Sequence, residues 1–332
     1  MNLLEVQDLD LAYQTHRGTV QALQGVQLCV RPGEVIGLVG ESGCGKTSLA
    51  RAITGVMPRN ARITRGELRW QGVDLLKLTE ARHRERRWRE FAFVPQSAMN
   101  ALNPVHRVGQ QIAEVLTQRG GLGASAARAR VEALFDQVGI DPQRARDYPH
   151  QFSGGMRQRI SIAMALALQP KLVIADEPVT ALDVIVQRQI LDLILGLQKS
   201  LQLSMIMVTH DVSVVAYVCD SVVVMYAGQV VETGSAAEVL DAPLHPYTMG
   251  LTRAFPDLQQ GIEQLRPIEG SPPDLLTPPT GCRFAERCPF AQDACRAASP
   301  PLRSVAGGAR SVACWRSDEA AVLRAQWLAE PA

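Results

Sequence analysis

The amino terminus, Met1 to Asp8, lacks the basic stretch and apolar core of a secretory leader. No uncharged apolar run approaches the roughly 18 residues that suggest a membrane span. Neither sign of charge is in excess. The 34 basic and 33 acidic side chains leave a formal net charge of +1, so nothing electrostatic points to nucleic acid as a partner. These absences predict a cytosolic chain, and in that compartment its 7 cysteines are not expected to form structural disulfides. What is present suits a globular protein with a sizeable core: 46% hydrophobic and 20% charged residues. The 332 residues suffice for one large domain with an appendage, or for two modest domains.

Apolar residues alternate loosely from Leu3 to Leu11 and again from Val20 to Val30, and Arg31-Pro32-Gly33-Glu34 reads as a turn, so the chain opens on antiparallel strands. Val35 to Val39 is a continuous apolar run, as in a strand buried on both faces. A glycine-rich loop follows, then helical character from Ser48 to Thr54. Residues 80 to 90 are dense in arginine and read as a solvated helix or loop, not a nucleic-acid site. Ala126, Ala127, Val131, Leu134, Phe135 and Val138 carry helical spacing. Ile160, Ala163, Met164, Ala167 and Leu168 form a second helical stripe, which places Ser153 at a helix start.

Leu172 to Ala175 predicts a buried strand ending at Asp176-Glu177. A helix is expected from Val186 to Leu201, a strand at Met205 to Val208, and a hairpin through Ala227-Gly228. Together these describe an α/β core whose parallel strands carry loops at their carboxyl ends. Composition changes near residue 243. From Pro243 onward lie 12 of the 20 prolines and four of the 7 cysteines, predicting a separate, loop-rich appendage that does not continue the sheet.

Gly40-Glu41-Ser42-Gly43-Cys44-Gly45-Lys46-Thr47 fits G-x-x-x-x-G-K-[ST] between a predicted strand and a predicted helix. Glycines let backbone N–H groups wrap phosphates, and the helix amino terminus favours an anion. Gly40, Ser42, Gly43, Cys44, Gly45, Lys46, Thr47 and Ser48 are the expected nucleotide-binding positions. Lys46 would reach the β- and γ-phosphates and the Thr47 hydroxyl would ligate Mg²⁺. The bland alternative is a glycine-rich turn with an exposed lysine. Asp176, ending its strand, is suited to hold Mg²⁺, and Glu177 to polarise an attacking water; the alternative is an acid pair capping the next element. Ser153-Gly154-Gly155 opens a second helix with a similar capacity for an anion.

Read in order, these residues resemble the nucleotide-binding subunits of ATP-binding cassette (ABC) transporters. Ser153 to Arg159 is similar to their signature sequence, Gln96 to the Q-loop glutamine, Asp183 in Ala181-Leu182-Asp183 to the D-loop, and His210 to the switch histidine that contacts the γ-phosphate. Tyr13 falls where the family has an aromatic residue stacked on adenine, although a tyrosine packing on the sheet fits the position too. The resemblance covers roughly residues 1 to 250. It implies a P-loop NTPase cassette with a RecA-like core, an antiparallel β subdomain and an α-helical subdomain. Residues 1–242 would form this cassette and residues 243–332 an extension. Catalysis would fall to Glu177, His210 and Gln96, with Gln96 also near Mg²⁺. Ser153, Gly154, Gly155 and Asp183 would serve nucleotide across a dimer.

A narrower resemblance is to the oligopeptide/dipeptide permease ATPases. It rests on Gln96 to Pro104, on His245-Pro246-Tyr247-Thr248, and on the cysteine-bearing tail. Cys282, Cys288, Cys295 and Cys314 follow a C-x5-C-x6-C-x18-C pattern. Wide loops suit the separated corners of a [4Fe–4S] cluster, which some similar ATPases hold in this region, whereas structural zinc more often uses C-x2-C pairs. A cluster therefore stands first, with zinc and ordinary thiols equal behind it. Cys29 and Cys219 read as core residues, and Cys44 fills a variable position of its loop.

The resemblance implies an ATPase on the cytoplasmic face of the membrane, energising uptake of di- or oligopeptides. Its partners would be a second, non-identical ATPase subunit, suggested by Met156 after the signature glycines, two membrane permeases and an extracytoplasmic binding protein. A nickel importer shares this architecture. The rivals of another class are a soluble cassette ATPase acting on DNA or ribosomes, and a chain that regulates or scaffolds a partner ATPase. The first commonly has two cassettes in one chain or a long inserted coiled coil, and neither is seen here; intact Lys46, Asp176, Glu177 and His210 argue against the second.

Overall fold

The structure is a computed structural model and describes residues 2–96, 101–253, 268–305, 308 and 310–329. Residues 97–100, within the Gln96 to Pro104 resemblance, lie outside the described residues. In chain order the strands are β1 (Leu4–Thr15), β2 (Gly18–Val30), β3 (Val35–Val39), β4 (Ala61–Trp70), β5 (Val73–Asp74) and β6 (Phe91–Val94), then β7 (Leu172–Asp176), β8 (Ser204–Thr209), β9 (Ser221–Tyr226), β10 (Gln229–Ser235), β11 (Arg303–Ser304) and β12 (Ser311–Val312). The helices are α1 (Lys46–Thr54), α2 (Glu80–Arg86), α3 (Val108–Gln118), α4 (Ala124–Gln137), α5 (Gly154–Ala165) and α6 (Val184–Leu201), then α7 (Val212–Val218), α8 (Ala236–Asp241), α9 (Pro246–Arg253), α10 (Asp293–Ala297) and α11 (Ala320–Ala329). Among the described residues no helix is long and apolar enough to cross a membrane.

Two compact units are formed, the first from Met1–Val30, Val35–Leu76 and Thr209–Ala332. Its amino-terminal part is an antiparallel sheet in the order β2-β1-β4-β5. The alternation in β1 looks loose for a structural reason. Leu4 and Val6 are buried at even positions and Leu9 and Leu11 at odd ones, because a bulge at Asp8, φ 46°, shifts the register between them. One extra residue in a period-two pattern moves every later side chain to the other face. The same alternation in β2 leaves Cys29 exposed, which corrects its reading as a core residue.

Within this unit β3 pairs in parallel with β9, Ile36 opposite Ser221 through Val39 opposite Val224. β9 and β10 form the expected hairpin, with Ala227 at φ 46° and Gly228 at φ 86°. Two consecutive positive φ angles match the twist of a tight hairpin turn. The carboxyl-terminal segment does extend this sheet, contrary to the sequence expectation. β12 pairs with β10, Glu232 opposite Val312, and β11 pairs with β12. Strands of two residues carry almost no periodicity, so composition alone reads them as loop.

The same segment is anchored in the core. Tyr226, Tyr247 and Phe284 pack with centroids 4.6, 5.2 and 5.5 Å apart. Glu232 is fully buried, ion-paired with Arg310 at 2.5 Å, and accepts from the N–H groups of Leu244 and His245 at 2.9 Å each. Removing the cation leaves a buried carboxylate with only backbone donors. Arg310→Met is therefore expected to lower unfolding stability by about 3–5 kcal/mol, measured by urea denaturation. An unchanged midpoint would show the pair to be dispensable.

The second unit comprises Arg31–Glu34 and Lys77–Val208. Strands β6, β7 and β8 run parallel, with Phe91 opposite Leu172 and Leu172 opposite Ser204. Every residue of β7 and β8 is buried, as parallel strands covered on both faces require. Helix α2 buries none of its residues, consistent with a solvated arginine-rich face. Helix α4 presents Ala127, Val131, Leu134 and Phe135 inward, and α5 buries Ile160 and Ala163.

Candidate functional site

In the first unit, the loop Gly40 to Thr47 leaves β3 and enters α1. Two of its glycines are required by close approach. A Cβ on Gly40, φ 150°, would stand 2.1 Å from the Met225 carbonyl oxygen, and one on Gly45, φ 106°, would stand 2.7 Å from that of Ala22. Gly43, φ 81°, instead faces open space. Gly45, the N-cap of α1, has no side chain to cap the first turn, whose N–H groups favour an anion. Lys46 is only 6% exposed, and its ammonium donates to the carbonyls of Gly40 at 2.6 Å and Glu41 at 3.0 Å. This is no exposed lysine on a surface turn. Cys44 is buried behind it, and burial raises its thiol pKa. The Tyr13 hydroxyl lies 3.0 Å from Ser48 Oγ, which brings β1 to the first turn of α1. Thr47 and Ser48 are half-buried and Ser42 is exposed. His210, also in this unit, is exposed just ahead of α7, which Asp211 caps.

In the second unit, Asp176 ends β7 with 3% exposure, and Glu177 follows at φ 48°. Glu177 N–H donates to the Val208 carbonyl at 2.8 Å. Its Oε2 accepts from Gln96 Nε2 at 2.7 Å and from Thr180 Oγ1 at 3.0 Å. Ala181, φ 65°, repeats the left-handed geometry four residues on. Non-glycine residues so held are sparsely populated and gather where function demands a side chain in one place. Two side-chain donors hold the Glu177 carboxylate.

Ser153 caps α5, its hydroxyl accepting from Met156 N–H at 3.3 Å, and Asp183 caps α6, accepting from Val186 N–H at 3.0 Å. Gly154 is the first residue of α5. Gly155 is dictated by packing, since a Cβ there would stand 2.4 Å from Val186 Cγ1. Gly155→Ala should cost about 1–3 kcal/mol of stability by overpacking. Val186→Ala in the same chain should restore most of it, as thermal unfolding would read. No recovery would mean the two helix starts are not in register through this contact. Val184 and Ile185, just after Asp183, are 82% and 73% exposed.

The tail cysteines overturn an expectation. Cys282, Cys288, Cys295 and Cys314 line one small apolar pocket with Phe284 and Trp315. Among the described residues no group of three or more His, Cys, Asp or Glu side chains is arranged to hold a metal ion. Burial pushes the Cys288 thiol up to about 12 and that of Cys314 to about 11, and raises that of Cys282. Burial thus disfavours the thiolate form in which cysteine ligates a metal. Cys282 and Cys288 instead pack against the aromatic core as small apolar groups. The iron–sulfur and zinc readings are both corrected. The spacing that suggested them reflects a pocket lined by buried and half-buried thiols.

Sequence reasoning missed several participants. Thr180 carries no motif, and Glu41 fills a variable position of the loop. Arg287, 246 residues further on, forks onto Glu41. No periodicity or spacing joins such positions.

Strand, glycine-rich loop and helix on a parallel sheet make this a P-loop NTPase fold of the cassette type. Residues 23–180 match the family described as ABC transporter, and residues 231–295 match that described as oligopeptide/dipeptide transporter, C-terminal region. The dipeptide transport ATP-binding protein DppD of Bacillus subtilis is 44% identical over 322 residues, 96% of this chain and 96% of that protein. The oligopeptide transport ATP-binding protein OppD of the same organism is 46% identical over 307 residues, 91% of this chain and 86% of that one. The solved structure of cbiO1 from Clostridium perfringens, part of the ABC transporter complex cbiONQ, is similar with a TM-score of 0.62 and 28% identity, over 72% of this chain and 91% of that one. The chain belongs to the ATP-binding subunits of ABC transporters, in their oligopeptide/dipeptide branch. The names of these relatives speak of peptide transport and not of iron–sulfur chemistry.

Proposed function

We propose that this chain hydrolyses ATP to energise import of di- and oligopeptides through partner membrane permeases. The observation that carries the reading is similarity along almost the whole chain to a dipeptide transport ATP-binding protein, 44% identity over 96% of each. Residues 1–242 are read as the cassette and 243–332 as a proline- and cysteine-rich extension. The phosphates of ATP are assigned to the N–H groups of Gly40 to Thr47 and to Lys46, and adenine to Tyr13. Ser42, Cys44 and Ser48 lie in or beside this loop.

Thr47, Asp176 and Gln96 offer oxygen donors, the hard set that Mg²⁺ takes, and the buried Asp176 carboxylate fits such a charge. The ion would neutralise charge on the β- and γ-phosphates. Glu177, held by Gln96 and Thr180, orients and polarises the attacking water, with His210 toward the γ-phosphate. Ser153, Gly154, Gly155 and Asp183 are assigned to the nucleotide of a partner ATPase subunit, read as non-identical. ATP then binds two subunits together, and loss of the γ-phosphate releases them. The chain works at the cytoplasmic face of the membrane, beside two permeases and an extracytoplasmic binding protein.

Deleting the gene in an auxotroph should abolish growth on a tripeptide carrying the required amino acid and leave growth on the free amino acid unchanged. Re-expression of wild type, but not of Glu177→Gln, should rescue. Peptide growth that survives deletion while nickel uptake fails would transfer the assignment to a metal importer.

A further inference from the structure

A single turn, Ala285–Arg287, lies between Cys282 and Cys288 and is fixed by Phe284, buried edge-on against Tyr226 and Tyr247. Arg287 ends it and reaches the phosphate-binding loop at Glu41, and Arg283, ahead of it, reaches the turn at Ala227 that contacts the loop. Arg287, with its side chain 6% exposed, grips the Glu41 carboxylate with both Nη atoms, at 2.8 and 3.1 Å. It also donates to the Tyr226 hydroxyl at 3.2 Å and to the carbonyls of Ile268 and Glu269 at 3.0 and 2.8 Å. Glu41 is held at its other end too, its N–H donating to the Tyr247 hydroxyl at 2.8 Å. The carbonyl of this doubly held residue accepts from Lys46 Nζ.

Arg283, 4% exposed, donates to the Ala227 carbonyl and to Gln24 Oε1. The next residue, Gly228, donates its N–H to the Cys44 carbonyl at 2.9 Å. A Cβ on Gly228 would stand 2.9 Å from the Arg283 guanidinium, so the turn has only the width of a glycine there. The loop is thus braced directly at Glu41 and through one turn at Cys44.

We infer that Arg287 and Arg283 are positioning residues for the phosphate-binding loop, and that the carboxyl-terminal extension sets the geometry in which Lys46 meets a nucleoside polyphosphate. This rests on the assignment of Gly40 to Thr47 to nucleotide. A bidentate guanidinium–carboxylate pair fixes direction as well as distance, and lysine can supply only the charge. The brace touches no substrate; its effect passes through the main chain of Glu41 and Cys44.

The test uses the full chain, with binding of a fluorescent ATP analogue and thermal unfolding read on the same samples. Arg287→Met should weaken ATP-analogue binding about tenfold, as loss of a charged hydrogen-bonded pair permits. Arg287→Lys should recover only part of that affinity. Glu41→Gln should lose a similar amount, and the double variant no more than either single one, the mark of residues acting as one unit. Arg283→Met should weaken binding in the same direction. Lys46→Ala serves as the control: if it binds as wild type does, the nucleotide assignment itself fails. If Lys46→Ala loses affinity while Glu41→Gln and both Arg287 variants bind as wild type does and only their melting temperatures fall, the pair merely pins the extension and the inference is overturned. Full additivity of Arg287→Lys with Glu41→Gln would overturn it as well.

Discussion

Replacing Glu177 by Gln lowers ATP turnover by about 10²–10⁴-fold, the usual span for a lost general base, and leaves nucleotide binding unchanged. The reason is geometric. The carboxylate is fixed by Gln96 at 2.7 Å and Thr180 at 3.0 Å, on a main chain turned to φ 48°. Glutamine keeps the size and one acceptor oxygen for those donors, so the loop need not move. What it loses is the capacity to accept a proton from water. Phosphate release in the assembled complex, measured beside binding of a fluorescent ATP analogue, separates the two effects. Turnover within a few-fold of wild type would place the base elsewhere.

Lys46→Ala acts on binding instead. The ammonium is buried beneath the loop and satisfied by two carbonyls, so it is pre-placed where a polyphosphate meets the N–H groups of the loop. Losing a charge-assisted contact to an anion in such a site should weaken ATP binding by about 10²-fold. The carbonyls of Gly40 and Glu41 lose a donor at the same time, at a cost of about 1–3 kcal/mol of stability if water does not reach them. Binding must therefore be measured below the melting temperature of the variant. Affinity equal to wild type would leave the glycine-rich loop without its main cation.

The parts of the fold with long periodic signals were legible in the sequence. The stripe from Ile160 to Leu168 marked α5 and its Ser153 cap, and the apolar run ending at Asp176 marked β7. Elsewhere the sequence was silent for physical reasons. The bulge at Asp8 blurs the alternation of β1. Strands β11 and β12 are too short to show any period, so their pairing onto β10 read as loop. Residue type alone puts Cys29 in the core, whereas strand parity turns it outward.

The four tail cysteines show the limit of spacing arguments. They do converge on one apolar pocket, but not in an arrangement that would hold a metal ion. The site divides in the same way. The glycines and lysine of one unit and the acids of the other form contiguous motifs, whereas Arg283 and Arg287 meet Ala227 and Glu41 only through the folded chain.

The most direct test of the account is transport by the assembled complex. The chain, co-purified with its membrane subunits and binding protein, would be reconstituted in vesicles and supplied with ATP on the cassette side and a labelled tripeptide on the other. The account predicts ATP-dependent accumulation of the peptide with wild type and none with Glu177→Gln. ATP hydrolysis by the wild-type complex with no peptide movement, at any ATP concentration, would contradict it.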